Sequence, residues 1–515
     1  MKRFVKRVFQ VAFLLTVAVL IAQLAFPLPD ISNRAVAQSL PASAETSLGA
    51  RVAEGQAARP GLTGVLPLEN GRDALASRLA LIAAAERSID VQYYIWHDDT
   101  SGILLLEALQ HAAERGVRVR LLLDDNGGPG LDSYMAALNA QENFQIRLFN
   151  PSTVRQPKLL GYVFDFFRMN RRMHNKSLIV DGAVAIVGGR NIGDEYFAVG
   201  EDTFFVDLDV LAAGAIVPVT AAVFDEYWNS LSVFELERIV RTPGDIAAFE
   251  ARVREVRARD TAGTLLQDAV DTATEYAAGR KRLDWTTVQL VADSPVKGQG
   301  IATRDQLMIT RLGAILGDIE TRLDLVSAYF IPGAAGTGLF SDIARSGRDV
   351  RILTNAMNTT DVLLVHAGYS KYRRELLEAG ARLYELKLRG GTSGADLHTL
   401  PMGLSGASLH AKTFAVDGKR VFIGSFNFDP RSAMLNCEMG FLIDSPAMAR
   451  QVHAIFDGPV ETVSYRPALT PEHKMIWQER RTDGESTVYQ EEPGATWFQQ
   501  IAIVVIGLLP VEWML

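Results

Sequence analysis

The apolar and polar positions divide the chain into three kinds of segment. From Val8 to Leu28 the sequence is apolar apart from Gln10, Thr16 and Gln23. About 20 such residues suffice for a helix to cross a bilayer. Residues 31–64 are rich in Ala, Ser, Gly and Pro and read as a linker. After that, strand and helix patterns alternate. Ser88 to Trp96 reads as a buried strand, Ile103 to Arg115 as a helix, Gly116 as its stop and Val117 to Asp124 as the next strand. The same order returns with a strand from Arg322 to Phe330, a helix from Leu339 to Ser346, a stop at Gly347 and a strand from Asp349 to Thr354. Asp90 and Asp324 lie 234 residues apart, and Gly116 and Gly347 lie 231 apart. A strand–helix–strand unit repeated at nearly one offset predicts an α/β fold with two sheets, or one sheet doubled. The predicted divisions are an apolar segment (1–30), the linker (31–64), a first half (65–240), a connecting helical segment (241–289), a second half (290–465) and a tail (466–515). The arginines of the connecting segment (Arg252, Arg254, Arg257, Arg259) read as a solvated helix surface.

Composition narrows the class. Of 515 residues, 48% are hydrophobic and 22% charged, which excludes a mostly disordered or fibrous chain. The single cysteine, Cys437, excludes an internal disulfide, a Cys-rich zinc site and an iron–sulfur cluster, and reads as a small buried residue. A net charge of −8 gives no global basic field, so nucleic acid is not an expected partner. Lys2, Arg3, Lys6 and Arg7 precede the apolar run and only Arg34 soon follows it. That asymmetry predicts a cytoplasmic N-terminus, an inner-membrane anchor and a catalytic part on the outer, periplasmic face. The alternatives are a signal peptide cleaved at Ala35-Val36-Ala37, which exports the same part, and a buried core helix. No cysteine follows the run, so a lipoprotein is excluded.

The chemistry sits in a duplicated motif. His174-Asn-Lys176-Ser-Leu-Ile-Val-Asp181 and His410-Ala-Lys412-Thr-Phe-Ala-Val-Asp417 share H-x-K-x4-D and lie 236 residues apart, in register with the fold repeat. In each, Gly follows the Asp by seven residues (Gly188, Gly424) and Asn by ten (Asn191, Asn427). On a strand, positions i and i+2 point the same way, so each His and Lys project together. An imidazole beside an ammonium, with an amide nearby, suits one anionic group. A phosphate fits, with Lys and Asn on its oxygens and imidazole facing phosphorus. Two such strands meeting at a pseudo-twofold axis would surround one phosphate. One neutral His attacks phosphorus, and the other protonates the leaving alcohol and then deprotonates the incoming one. The fixed donors take the place of a divalent metal; no metal-ligand spacing stands out, and no cofactor is expected. Asp207 and Glu438, 231 apart, are candidate carboxylates for orienting the imidazoles, with strand-edge capping as the alternative. Asp181 and Asp417 precede Gly at hairpin turns; they belong to the catalytic motif but are expected to shape the turn or hold the Lys rather than react.

These two motifs resemble the paired H-x-K-x4-D-x6-G-[GS]-x-N signatures of the phospholipase D superfamily, over roughly residues 65–465 with motif regions at 168–195 and 404–431. Asn170-Arg-Arg-Met-His-Asn-Lys-Ser177, Gly189-Arg-Asn-Ile-Gly-Asp-Glu-Tyr-Phe197 and Leu509-Pro-Val-Glu-Trp513 are similar to bacterial cardiolipin synthases of the C type. The resemblance implies two pseudo-symmetric halves, each a mixed β-sheet flanked by helices, with one site between them. It implies metal-independent phosphatidyl transfer through phosphohistidine, with His174 as nucleophile, His410 as acid/base, and Asn191, Asn427 and Ser425 on the phosphate. Gly189 stands where Ser is common; little consequence is expected, a neighbouring backbone N–H serving as donor. The expected partners are phospholipid substrates and the membrane, and any partner protein is unspecified. Cardiolipin synthesis from phosphatidylglycerol and a second phospholipid is the leading reading. Hydrolysis to phosphatidic acid, a nuclease-like phosphodiesterase and a non-catalytic anionic-lipid-binding protein are the alternatives.

Three further stretches are open on sequence. Leu159 to Met169 runs into Arg168, Arg171 and Arg172 and reads either as core beside the site or as a helix dipping into a bilayer. Trp497, Phe498 and Ile501 to Leu509 form an interfacial helix or one packed on the domain. Tyr93, Tyr94 and Trp96 at the end of the first strand read as core aromatics near the ligand crevice, with His97 and Asp98 beside them.

Overall fold

The computed structural model describes residues 2–200, 204–360, 362–387, 408–481, 484–494, 503 and 512–514. Residues 404–407 of the second motif region and nearly all of the apolar stretch from Trp497 to Leu509 lie outside them.

Two mixed sheets carry the fold among the described residues. The first runs, edge to edge, Asp284–Thr286, Thr63–Leu68, Asp209–Gly214, Val184–Gly188, Ser177–Val180, Ser88–Tyr93, Arg118–Asp124, Phe144–Phe149 and Val233–Glu235. The second repeats its central six as Met439–Ile443, Arg420–Gly424, Lys412–Val416, Arg322–Ser327, Asp349–Asn355 and Arg382–Leu386. In each, three parallel strands come from strand–helix–strand units and the rest pair antiparallel, the H-x-K strand with its successor through a hairpin. The helices Thr100–Glu114 and Gly333–Arg345 are stopped by Gly116 and Gly347, whose φ values of 91° and 86° suit glycine.

The sheets turn their inner faces toward one another. One apolar cluster contains Leu122, Ile179 and Val187 of the first half together with Leu353, Ile423 and Phe441 of the second. The helices Val217–Trp228 and Pro446–Asp457 complete this shared core, and separate clusters fill the outer helix layers. Charged strand residues survive inside because they are paired: Arg78 with Asp209, Arg120 with Asp90 and Arg351 with Asp324.

One segment differs from its sequence reading. Residues 31–64 are no free linker. Arg34 donates to the Asn229 carbonyl (2.6 Å), Ala37 exchanges hydrogen bonds with the Asn229 side chain, and Ser39 donates to Asp225 (2.8 Å). The stretch also holds the helix Ser47–Ala57 and the start of a strand at Thr63. Its small residues allow close packing along a helix, which composition alone does not distinguish from flexibility. The connecting segment matches its reading as a solvated helix surface, with Arg254, Arg257 and Arg259 exposed, while Arg252, Arg257 and Arg259 also reach Asp98, Glu107 and Thr100 of the first half.

The N-terminal helix Lys2–Ala25 is long and apolar enough to cross a membrane, and no part of that span is buried among the described residues.

Candidate active site

Each H-x-K strand begins where the two halves pair. Met173 and Cys437 form a parallel bridge, in which His174 N–H donates to the Cys437 carbonyl (2.8 Å) and Cys437 N–H to the Arg172 carbonyl (2.8 Å). The symmetry-related contact is a two-stranded parallel ladder between Phe205–Val206 and Ser408–Leu409, where His410 N–H donates to the Val206 carbonyl (2.8 Å). Backbone pairing across the interface thus fixes where both imidazoles stand.

The carboxylates cross over. His174 Nδ1 faces Glu438 Oε2 of the second half at 2.8 Å, and His410 Nδ1 faces Asp207 Oδ2 of the first half at 2.5 Å. A carboxylate only accepts, so each Nδ1 carries the proton and each Nε2 presents a lone pair. Glu438 is positioned in turn: Ser425 Oγ donates to Oε2 (2.5 Å), and Glu438 N–H donates to Asp293 (2.9 Å), itself paired with Lys297 (2.7 Å). The stretch leading into His174 is locked by Arg172, which meets the buried Asp124 at 2.6 Å, while Met173 N–H donates to the same carboxylate.

Lys176 and Lys412 are buried beside the imidazoles and donate to the His174 and His410 carbonyls respectively. Lys412 Nζ also lies 2.9 Å from His410 Nδ1. The His174 imidazole is held down at about 4, by burial first and with Lys176 and Lys412 adding to it, against the upward pull of Glu438. Burial and Lys412 hold His410 below its ordinary value against the pull of Asp207. Lys176 is pushed down to about 7, by burial first and by Lys412 against Glu438. Burial works to raise Asp207 and Glu438, yet the adjacent imidazoles and lysines outweigh it and hold both carboxyls below their usual range. The unliganded centre therefore holds two neutral imidazoles backed by carboxylates. An arriving phosphodiester anion supplies the negative charge that favours protonating one of them.

The remaining motif residues divide. Asp181 accepts from the N–H groups of Glu86, Arg87 and Ser88, and Asp417 from those of Glu320, Thr321 and Arg322. Both sit at hairpin turns with positive φ (51° and 55°), at the far end of the strands from the imidazoles. Their oxygens are spent on backbone donors at the turn and the strand start. Asn191 accepts from Ile95 N–H (3.2 Å) and donates to Tyr196 Oη (3.0 Å), so both ends of its amide are engaged within the protein. Asn427 Oδ1 faces Tyr329 N–H at 3.5 Å. At Gly189 a Cβ would stand 2.1 Å from Asp207 Oδ1, and Leu208 N–H donates to that oxygen (2.8 Å). Gly in one half and Ser in the other thus follow the different placements of Asp207 and Glu438.

The aromatics Tyr94, Tyr196 and Phe205 were not singled out as ring partners of the histidines by sequence. Tyr94 packs edge-on to His174 (5.1 Å), and Tyr196 and Phe205 against His410 (5.1 and 5.2 Å). The position of Tyr94 at a strand end was the available signal. Tyr93 and Trp96 are core, with Tyr93 Oη accepting from Arg78. His97 lies 3.2 Å from Glu195 and 3.9 Å from Asp99, and these three are the group of possible metal ligands among the described residues. Cys437 is buried, as its size suggests.

Comparison with known proteins agrees with this geometry. The family described as "Cardiolipin synthase, PLD-like domain" matches residues 79–228 and 314–459, one match per half. Cardiolipin synthase C of Escherichia coli (strain K12) is 43% identical over 478 residues, covering 88% of this chain and 97% of that protein. An uncharacterized protein of Helicobacter pylori (strain ATCC 700392 / 26695) is 32% identical over 454 residues, covering 84% and 86%. Among solved structures, phosphatidylserine synthase of Haemophilus influenzae Rd KW20 shares the fold, with a TM-score of 0.54 at 12% identity over 90% of this chain and all of that one. The chain belongs to the phospholipase D superfamily, within its cardiolipin synthases, and is an enzyme of phospholipid phosphatidyl transfer.

Proposed function

We propose that the chain forms cardiolipin by moving a phosphatidyl group from one phospholipid onto the hydroxyl of phosphatidylglycerol, through a phosphohistidine on His174. The observation that carries this is the pair of imidazoles at the seam of the two halves, each backed by a carboxylate from the other half and each beside a lysine. His174 Nε2 attacks phosphorus, forming the P–N bond while the P–O bond to the leaving alcohol breaks. His410, protonated as the anionic substrate arrives, gives its Nε2 proton to that alcohol. It then takes the proton of the incoming hydroxyl, whose oxygen displaces His174 from phosphorus. Lys176 and Lys412 stabilise charge on the non-bridging phosphate oxygens. Asp207 and Glu438 hold the Nδ1–H tautomers and balance the cationic rings. The choice of His174 as nucleophile follows the family order, because local symmetry does not break the tie.

The positive residues before the N-terminal helix favour a cytoplasmic N-terminus, with the catalytic halves on the periplasmic face of the inner membrane. The test is a product assay with full-length protein in mixed micelles. Radiolabelled phosphatidylglycerol is supplied alone and with phosphatidylethanolamine, with chelator present, beside His174→Ala. Cardiolipin from the intact protein only is expected, and its dependence on the second lipid names the donor. Phosphatidic acid as sole product would replace transfer by hydrolysis.

A further inference from the structure

The helix Gly161–Met169 lies directly before the His174 loop and has two faces. Gly161, Phe164 and Met169 are buried against the protein. Leu159, in the turn Lys158–Leu160 just before the helix, and Val163 and Phe167 within it are 74%, 69% and 71% exposed. The helix kinks at Asp165, whose backbone is not helical, yet three large apolar side chains within nine residues all stay outside the core, which is not ordinary surface.

Two independent contacts say what covers it. First, the membrane-spanning helix docks there with its C-terminal end: Gln23 Nε2 donates to the Phe164 carbonyl (2.7 Å), Phe26 stacks on Phe164 (5.9 Å) and Thr153 Oγ1 donates to the Phe26 carbonyl (3.0 Å). The packed stretch through Ser39 then pins this end to the first half. The end of a spanning helix marks the bilayer interface, so Gly161–Met169 sits at that level. Second, the turn Glu512–Met514 brings Trp513 edge-on to Phe166 (6.5 Å), a residue type favoured at membrane interfaces. That turn is tied to the second half by Arg431, which donates to the Met514 carbonyl (3.0 Å) and to Asn170 (3.1 Å). Beside Arg431, on the same short helix, Met434 is 58% exposed. Both halves thus add apolar groups to one rim, and the stretch that leads to His174 begins at it. Asn170 is four residues from His174, at most about 14 Å of chain.

We propose that this rim, Leu159, Val163 and Phe167 with Trp513 and Met434, is inserted in the bilayer leaflet that the N-terminal helix enters, and feeds phospholipid from that leaflet to the two histidines. The proposal rests on the reading of the chain as a membrane-anchored phosphatidyltransferase and adds the surface through which it meets its substrate. The inserted face takes acyl chains of any phospholipid. Headgroup choice is left to the polar site.

The test uses the full-length protein reconstituted in vesicles of phosphatidylethanolamine and phosphatidylglycerol. Val163→Cys is labelled with an environment-sensitive fluorophore; native Cys437 is buried and stays unlabelled. Val270→Cys, on an exposed face of the helix Asp260–Ala277, is the control. Acyl-chain spin labels are expected to quench the probe at 163 and not at 270. Equal quenching at both sites, or none at 163, overturns the proposal. This readout needs no turnover, so it stands apart from failure of the transferase reading, which would show as an inactive wild type. In a second arm, Val163→Asp with Phe167→Asp is expected to lower transfer on vesicles about tenfold or more. Transfer between short-chain lipids dissolved below their micelle concentration is expected to stay within about twofold of wild type. An equal fall in both assays would also overturn the proposal.

Discussion

The crossed carboxylates make a sharp prediction for Glu438→Gln. The change keeps the shape of the side chain and removes its charge. Glu438 is fully buried, 2.8 Å from His174 Nδ1, and Ser425 fills part of its remaining capacity. A hydrogen bond to a charged group is worth about 1.5–3 kcal/mol net. The ring gains positive character as phosphorus bonds to Nε2, so the full bond is felt in the transition state. That range converts to a loss of roughly 10- to 150-fold in kcat. Glutamine can also turn its NH2 toward Nδ1, which moves the ring proton to Nε2 and blocks attack, so the upper end is expected. The assay is rapid-quench formation of the phosphoenzyme from labelled phospholipid, with melting temperature recorded in parallel. Phosphoenzyme formation should slow while melting changes little. Asp207→Asn should instead slow protonation of the leaving group and the step that follows, through His410. Phosphoenzyme formation in Glu438→Gln within twofold of wild type would refute the assignment of Glu438 to His174. A large drop in melting temperature with proportional loss of activity would show that the carboxylate serves folding alone.

Other changes test neighbouring parts. For the free enzyme, kcat/KM should fall at both ends of the pH range. Lys176, lowered to about 7, loses its ammonium as pH rises through that value, and His174, lowered to about 4, loses its lone pair as pH falls through that one; a profile flat from pH 5 to 9 would contradict this. Gly189→Ser should cost tenfold or more in turnover, because its Cβ would stand 2.1 Å from Asp207 Oδ1 and push the carboxylate off His410; unchanged kinetics would show that the loop yields. Asp417→Ala should lower stability by about 1–3 kcal/mol in urea unfolding while the activity of folded protein persists, since three backbone donors lose their acceptor. Asp181→Ala, where the carboxylate is buried, should cost more.

The repeat carried most of what the sequence could tell. Two H-x-K motifs at the offset of two strand–helix–strand units place the histidines, and the period-2 geometry of a strand explains why each lysine follows its own histidine. The offset also matched Asp207 to Glu438, but it could not say which histidine each would serve. That depends on the bridge at Met173 and Cys437 and on the ladder at Val206 and Leu409, contacts between residues more than 200 positions apart. The same limit hid the Asp124 clamp on Arg172 and the Asp293–Lys297 pair behind Glu438, because buried charge pairs leave no periodic trace. The segment Leu159 to Met169 proved to be core on one face and exposed on the other. A nine-residue helix is too short for composition alone to separate those faces. Residues 31–64 misled for a related reason, since small residues serve a close-packed strap as well as a flexible linker.

The central claim is that phosphorus passes through His174. The most direct measurement incubates full-length protein with phospholipid labelled in the phosphate, denatures it rapidly in base, where phosphohistidine survives, and maps the label on peptides. The account predicts label on the peptide holding His174, none in His174→Ala, and in His410→Ala label that forms slowly, because the first step lacks its acid, and then persists, because the second step lacks its base. Label on His410, or full-rate cardiolipin formation with no protein-bound phosphorus at any time, would contradict it.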